Sequence, residues 1–403
     1  MNILYVAPRL PYPPTKGEKT RAFHQIRELA KTHRVHLACT VDPKDDIDGL
    51  QMLRRCCASV EAVPTTRAAI RARSAWALIR GHPQWAFSHA SVALAERVVG
   101  KLRAEKFDMI LGSSVAVAEC LRRVEDVPKV LDFMDVASEL WRAAAEQRTF
   151  PVSGLYRVEA RRLGRYEAEI AASVDCSIVV SEVEARLFRR RQHDFPVSVV
   201  GNGVDLEYFA PAAEGSEPPG STRVVFTGTM DYFPNVDAVR YFYRSILPRV
   251  QETVPAVHFD IVGRDPTRSV RALARDPRVT VTSSVPDVRV YLAQAAVAVA
   301  PLRVARGIQN KVIEAMAMGA PVVGTSAALE GLELTDEDGA RRADDPEAFS
   351  REVTALIRDR DWRRHCSLRA RCYVERCHRW DTHGARLSGV LDAVAANRHA
   401  RYG

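Results

Sequence analysis

The 403-residue chain contains no uncharged apolar run of about 18 residues, so no segment reads as a membrane-spanning helix. Its N-terminus, MNILYVAPRLPYPP, has neither a basic n-region nor a long apolar stretch. It therefore reads as the opening strand of a fold, not as a signal peptide. No Cys-x-x-Cys pair occurs among the eight scattered cysteines, Cys39, Cys56, Cys57, Cys120, Cys176, Cys366, Cys372 and Cys377. With no export signal, that usage reads as free thiols in a cytoplasmic protein. The grouping His365, Cys366, Cys372, Cys377 and His378 fits no standard zinc spacing, and no metal site is expected. No G-x-G-x-x-G follows the first strand, which argues against a plain nicotinamide-dinucleotide protein. The net charge is +8, yet no aromatic-interleaved basic stripe or nucleic-acid motif accompanies it. Nucleic acid is not expected as a partner. The excess, mostly arginine, suits phosphate-bearing substrates and an anionic membrane surface.

What is present is the composition of an ordinary globular protein, 47% hydrophobic and 27% charged, in a chain long enough for two cores. Short apolar runs alternate with helical patterns along most of it. That alternation implies parallel sheets with helices on both faces. The stretch AAEGSEPPGST, 212–222, reads as a linker between two such regions. The domains are therefore drawn at 1–210 and 211–379.

The segment 297–325, VAVAPLRVARGIQNKVIEAMAMGAPVVGT, carries the most chemistry. Residues 297–300 read as a buried strand and Gly307 as part of the loop after it. A helix is predicted over 308–318, with Ile308, Val312 and Ala315 on its apolar face. Gly319 is placed to stop it, and Pro321 lies just beyond. Lys311 and Glu314 are three apart and share a helix face. A helix that starts after a glycine loop, at the C-terminal edge of a parallel sheet, offers free N–H groups to an anion such as a pyrophosphate. A carboxylate one turn further in suits ribose hydroxyls. The alternative is a solvated surface pair worth about 0.2–0.5 kcal/mol.

The run Asn310-Lys311-Val312-Ile313-Glu314-Ala315-Met316-Ala317-Met318-Gly319-Ala320-Pro321-Val322-Val323 resembles the donor-site signature of family 4 glycosyltransferases. More narrowly, it is similar to the sugar transferases found with PEP-CTERM/exosortase exopolysaccharide systems. The resemblance implies the α/β GT-B fold: two Rossmann-like parallel-sheet domains facing a central cleft. The first domain would be the acceptor side, the second would hold the nucleotide sugar, and a final helix over about 380–403 would pack back on the first. It also implies that Glu314 binds the donor ribose.

Other segments extend the likeness. PRLPYPPTKGEKTR resembles the family's N-terminal glycine loop, which places Gly17 at the cleft, with Lys16 and Arg21 as further cleft residues. Lys129 to Trp141 is similar to the D-x-x-D-x-x-S-x-x-W element of the narrower branch. Its Asp132 and Asp135 would orient sugar hydroxyls, or serve as a turn and a helix N-cap. Asn202-Gly203-Val204-Asp205, with Phe209 and Pro211, is a family landmark read as a turn with no catalytic job. Gly228 ends a strand at the presumed cleft. Two departures stand out. Many members carry an arginine after that glycine and a lysine further on; this chain has Thr229 and Asn235. The wider family has a glutamate eight residues before the position of Glu314, and this chain has Arg306 there.

Phosphate charge is therefore assigned to Lys311, Arg306 or Arg264. The expected catalytic residues are Asp135, Lys311 and Arg306. The expected donor-binding residues are Gly17, Gly228, Thr229, Arg264, Gly307, Ile308, Lys311 and Glu314. The resemblance implies a UDP- or GDP-linked donor, retention of configuration, no obligatory metal, and a lipid-linked or growing polysaccharide acceptor. Residues 65–85 mix Arg67, Arg71, Arg73 and Arg80 with Ile70, Trp76, Leu78, Ile79 and Trp85, and contain no acid. They read as an interfacial helix on anionic lipid at the inner face of the plasma membrane, or as a domain helix with solvated arginines. A nucleotide-sugar epimerase of the same fold and a non-catalytic subunit of a polysaccharide assembly are the rival functions.

Overall fold

The computed structural model describes residues 1–42, 47–191, 195–211 and 221–402, so most of the expected linker lies outside the described residues. The chain forms two units, one of Met1–Gly201 with Trp380–Gly403 and one of Asn202–Arg379.

The first unit is built on seven parallel strands: β1 Asn2–Ala7, β2 Arg34–Val41, β3 Ser59–Pro64, β4 Met109–Ser113, β5 Lys129–Met134, β6 Cys176–Val179 and β7 Val197–Val199. Their order is β3-β2-β1-β4-β5-β6-β7. Apolar side chains alternate between the two faces. Leu4, Val6 and Ile110 enter one core, while Ile3, Tyr5 and Leu111 enter the other. The second unit repeats the topology with β8 Arg223–Thr227, β9 His258–Val262, β10 Val279–Val281, β11 Val297–Ala300, β12 Val322–Gly324 and β13 Ala340–Arg342, in the order β10-β9-β8-β11-β12-β13. Each sheet reverses its strand order once, at β1/β4 and at β8/β11. In doubly wound sheets that crevice, at the carboxyl ends of the strands, is where ligands bind.

The break falls at Gly201/Asn202, upstream of the expected 210/211. Residues 202–209 are fastened to the second unit. Asn202 Nδ2 donates to Asn310 Oδ1 at 3.1 Å, and Val204 N donates to His378 O at 2.9 Å. Arg371 Nη1 donates to Phe209 O at 2.7 Å. The last helix, Trp380–Tyr402, belongs to the first unit because its apolar face has a place there. Leu387 and Leu391 are fully buried with Ile3 and Ile26, and Trp380 stacks on His24 at 4.5 Å. Full burial of each such leucine contributes about 1.5–3 kcal/mol.

One buried network corrects the reading of two polar residues. Arg21, 1% exposed, meets the fully buried Asp132 through Nε at 2.6 Å and Nη2 at 3.1 Å. Gln25 Nε2 and Met134 N also donate to Asp132, at 2.7 and 3.0 Å. Arg21 also donates to Val200 O and Gly201 O, at 2.9 and 3.0 Å. Neither side chain is free to meet a sugar. The pair ties the helix Gly17–Leu29 to the end of β5 and to the chain leaving β7.

Candidate functional site

In the second unit, most of the expected residues gather where β8, β9 and β11 end. Gly228 follows β8 at φ +154° and Gly263 follows β9 at φ +152°. A Cβ on Gly263 would lie 1.7 Å from Gly228 O, so the two turns touch backbone to backbone and only glycine fits. Met230 N donates to Arg264 O at 2.8 Å, which binds the loops together. After β11, Gly307 turns at φ +63°, and a Cβ on Gly331 would lie 2.2 Å from its carbonyl oxygen. Gln309 Nε2 donates to Arg306 O at 2.8 Å. These contacts hold the chain irregular until Asn310, so the helix runs Asn310–Ala317 and not from 308. It ends where expected. Gly319 is left-handed at φ +72°, and Ala320 N donates back to Ala315 O at 3.0 Å.

Val312, Ile313, Ala315, Met316 and Ala317 fill the core side of this helix. Lys311 and Glu314 are half-buried on the face left over. The Lys311 ammonium stands 4.1 Å from the centre of the Phe226 ring and donates to Asn235 Oδ1. Asn235 Nδ2 in turn donates to Thr229 O at 2.9 Å. A Cβ on Gly228 would be 3.1 Å from Lys311 Nζ and 2.7 Å from Asn235 Nδ2, so the cation lies directly against the glycine turn. The Glu314 carboxylate accepts no hydrogen bond from the described residues; Lys311 is the charge that acts on it. Burial lowers the Lys311 ammonium to about 7 and raises the Glu314 carboxyl to about 7, and each effect is opposed by the partner's charge.

The other expected cations are more engaged. Arg306 Nη1 meets Glu330 at 2.7 Å, and Arg264 lies 3.9 Å from Asp265 in its own loop. Thr229 takes part through its carbonyl, and Ile308 packs against the second unit's core. The arrangement can present one cation to a phosphate beside the glycine turns, and a free carboxylate to hydroxyls one helical turn away.

Gly17 and Asp135 belong to the first unit. Gly17 opens its helix after Lys16, whose side chain makes no cap bond. Asp135 is half-buried after β5, just before Val136 caps the helix Ala137–Glu146. That helix start is already occupied. Glu184 Oε2 accepts from Val136 N at 2.7 Å, and Glu167 accepts from Ser138 N and Oγ at 3.0 and 2.6 Å. Two buried carboxylates there repel a further anion, and the serine of the D-x-x-D-x-x-S run is a structural anchor. Asn235 and Phe226 are the residues that sequence reasoning misses. Asn235 registers in the sequence only as the absence of a lysine. Among the described residues, no group of three His, Cys, Asp or Glu side chains could hold a metal ion, and no helix is long and apolar enough to cross a membrane.

Residues 221–359 match the family model described as glycosyl transferases group 1. No curated protein matches the chain. Among solved structures it resembles sucrose-phosphate synthase from Thermosynechococcus elongatus, with a TM-score of 0.73 at 16% identity over 98% of this chain and 100% of that one. It also resembles Anabaena HepE in complex with UDP, with a TM-score of 0.67 at 13% identity over the same shares. An apo structure of OtsA gives 0.66 at 11% identity over 97% and 99%. These likenesses give the fold, that of the GT-B glycosyltransferases.

Proposed function

We propose that this chain, a glycosyltransferase with a group 1 domain at 221–359, moves a sugar from a UDP- or GDP-linked donor to a lipid-linked or growing exopolysaccharide acceptor, with retention and no obligatory metal. The narrower likeness to PEP-CTERM/exosortase transferases supports that acceptor class. The observation that carries the donor reading is the placement of Lys311 and Glu314 at the β8/β11 reversal, beside turns that only glycine can form. The UDP held by HepE on the same fold supports a nucleoside diphosphate there.

In this reading Glu314 accepts the ribose hydroxyls. Lys311 faces the diphosphate, where a fixed cation stabilises charge developing on the leaving group. Arg306 and Arg264 are auxiliaries that must first yield their acidic neighbours. The donor's own phosphate takes the acceptor proton, and Asp135 orients acceptor hydroxyls.

Titration calorimetry with UDP, GDP and ADP tests this on the wild type and Glu314→Ala. One nucleotide should bind, and the mutant should lose about 1.5–3 kcal/mol, the size of hydrogen bonds to a charged group. Absence of binding at millimolar nucleotide, or an unchanged mutant, overturns it.

Residues 65–85 supply the membrane contact. The helix Arg67–Arg80 turns Ala77 into the domain. On the opposite side Ala68, Ala72, Ala75, Trp76 and Ile79 are exposed at helical spacing, with Ile79 84% exposed. Exposed Arg67, Arg71 and Arg80 flank this stripe. Elsewhere in the same unit Phe150, 85% exposed, and Leu155 are also apolar and exposed. One turn beyond Leu155, Glu159 accepts from Trp85 N at 2.9 Å, which joins the helix Val152–Ala171 to the short helix Gln84–His89. An apolar stripe flanked by arginines fits an anionic bilayer, which would bring a lipid-linked acceptor within reach. The protein should sediment with phosphatidylglycerol vesicles and not with phosphatidylcholine vesicles, and Ile79→Asp should abolish it. Equal sedimentation with both would overturn this assignment.

A further inference from the structure

We infer that Asn235 is a positioning residue that holds the Lys311 ammonium against the Gly228 turn without neutralising it; the consequence for donor binding rests on the reading above.

Asn235 is 6% exposed, near the start of the helix Phe233–Tyr241. Its two bonds fix its orientation. Thr229 O can only accept, so the carboxamide nitrogen must face it, and the carboxamide oxygen is left to Lys311. The side chain therefore ties the glycine turn after β8 to the helix that follows β11. The neutrality of this tie matters. A carboxylate in its place would hold the lysine at least as firmly but would add a second negative charge to that of Glu314, and a phosphate would then meet a net negative site.

Among the described residues around Lys311, Glu314 alone brings a counter-charge. From its own helix Lys311 faces Glu314, the one charge that acts on it. Strand β8 contributes Val225, Phe226 and Thr227, and β11 contributes Ala298, Val299 and Ala300, none of which titrates. Gly228 and Asn235 complete the shell. The aromatic face and the carboxamide oxygen attract the cation with partial charges only. The lysine is thus localised and half-dry, with Glu314 as the charge that acts on it, and a cation fixed in that way rewards arrival of an anion. Burial lowers its proton affinity in agreement with this. The same site explains how the chain dispenses with a lysine at position 235: the cation comes from 311, and 235 supplies its anchor.

The test reads Lys311 directly and needs no ligand. Reductive dimethylation of the intact protein, followed by mass spectrometry across pH 6 to about 10, gives the ionisation of each lysine, since only the free amine reacts. Lys311 in the wild type should label with an inflection near 7. In Asn235→Asp the inflection should rise by at least about one pH unit, because a full opposite charge replaces a dipole. In Asn235→Ala the labelling should lose its distinct inflection as the side chain swings into solvent. Both variants should keep the wild-type circular dichroism. Affinity for the nucleoside diphosphate that the wild type binds should fall about tenfold or more in each variant, with its alkaline limb moved up only in Asn235→Asp. An Lys311 inflection unchanged in both variants would overturn the positioning role. Shifted inflections in a protein that binds no nucleoside diphosphate would sustain the positioning role and overturn the donor-site reading instead.

Discussion

Replacing Asp132 by alanine should unfold part of the first unit without touching nucleotide binding. Asp132 is fully buried and accepts four hydrogen bonds, two from Arg21 and one each from Gln25 and Met134 N. The alanine leaves a guanidinium that is 1% exposed without its carboxylate, though still bonded to the carbonyls of Val200 and Gly201. Breaking one side of a buried ion pair costs about 3–5 kcal/mol, because the surviving charge stays dry. The stranded carboxamide of Gln25 adds about 1 kcal/mol. Because a two-domain chain does not unfold in one step, a single melting curve is the wrong assay. Hydrogen exchange resolved by peptide is the right one. Protection in β1, β5 and the helix Gly17–Leu29 should fall by about three to four powers of ten, at roughly 1.4 kcal/mol per power, while peptides of 221–379 stay unchanged. The double variant Arg21→Met with Asp132→Leu should recover much of the loss, since no uncompensated charge remains. If Asp132→Ala changes protection by less than about tenfold, yet abolishes sugar transfer, the buried-pair argument is wrong and Asp132 belongs with the chemistry.

Nucleotide affinity should be bell-shaped in pH with its maximum near 7. The Lys311 ammonium is lost as pH rises through about 7 and the Glu314 carboxylate is lost as pH falls through about 7, so the form with both charged is most populated near 7 and falls away on either side. Calorimetry from pH 5.5 to about 8.5 should show this, and Glu314→Gln should flatten the acid limb beyond the ligand's own phosphate titration; a monotonic wild-type profile would refute it. Gly263→Ala should destabilise the second unit by more than the usual overpacking cost of about 1–3 kcal/mol, because its Cβ would meet Gly228 O at 1.7 Å. Wild-type hydrogen-exchange protection of β8, β9 and β11 in that variant would refute the close contact of the two turns. Arg306→Ala should weaken nucleotide binding far less than Lys311→Met, since Arg306 is already engaged by Glu330. Equal losses in the two variants would move the phosphate cation to Arg306.

The architecture was legible because its signals are local. Buried strands such as 297–300 are short apolar runs, and Gly319 stops its helix in the manner that a left-handed terminal glycine requires. Lys311 and Glu314 were legible for the same reason: their common face follows from helical spacing alone. The domain boundary was less so. The Pro/Gly/Ser-rich stretch marks where the chain is polar, whereas the break is set by where residues 202–209 find partners, at Asn310, His378 and Arg371, which lie more than a hundred residues away.

Arg21 and Asp132 were misread because a charged side chain at the edge of a sheet looks the same in sequence whether it faces a ligand or another charge. The two lie 111 positions apart, and no periodicity connects them. Asn235 poses the converse difficulty. A neutral residue in the place of an expected cation reads as a loss; the sequence reading moved the charge to Lys311, Arg306 or Arg264, but nothing in it marked Asn235 as the partner of Lys311, because the two lie 76 positions apart on different strand–helix units. Side-chain charge can move between elements of a site while the site keeps its net charge. The absence of a motif residue is therefore weak grounds for inactivity until the space it would occupy has been examined. Here that space holds the Lys311 ammonium, anchored by the residue that had counted as missing.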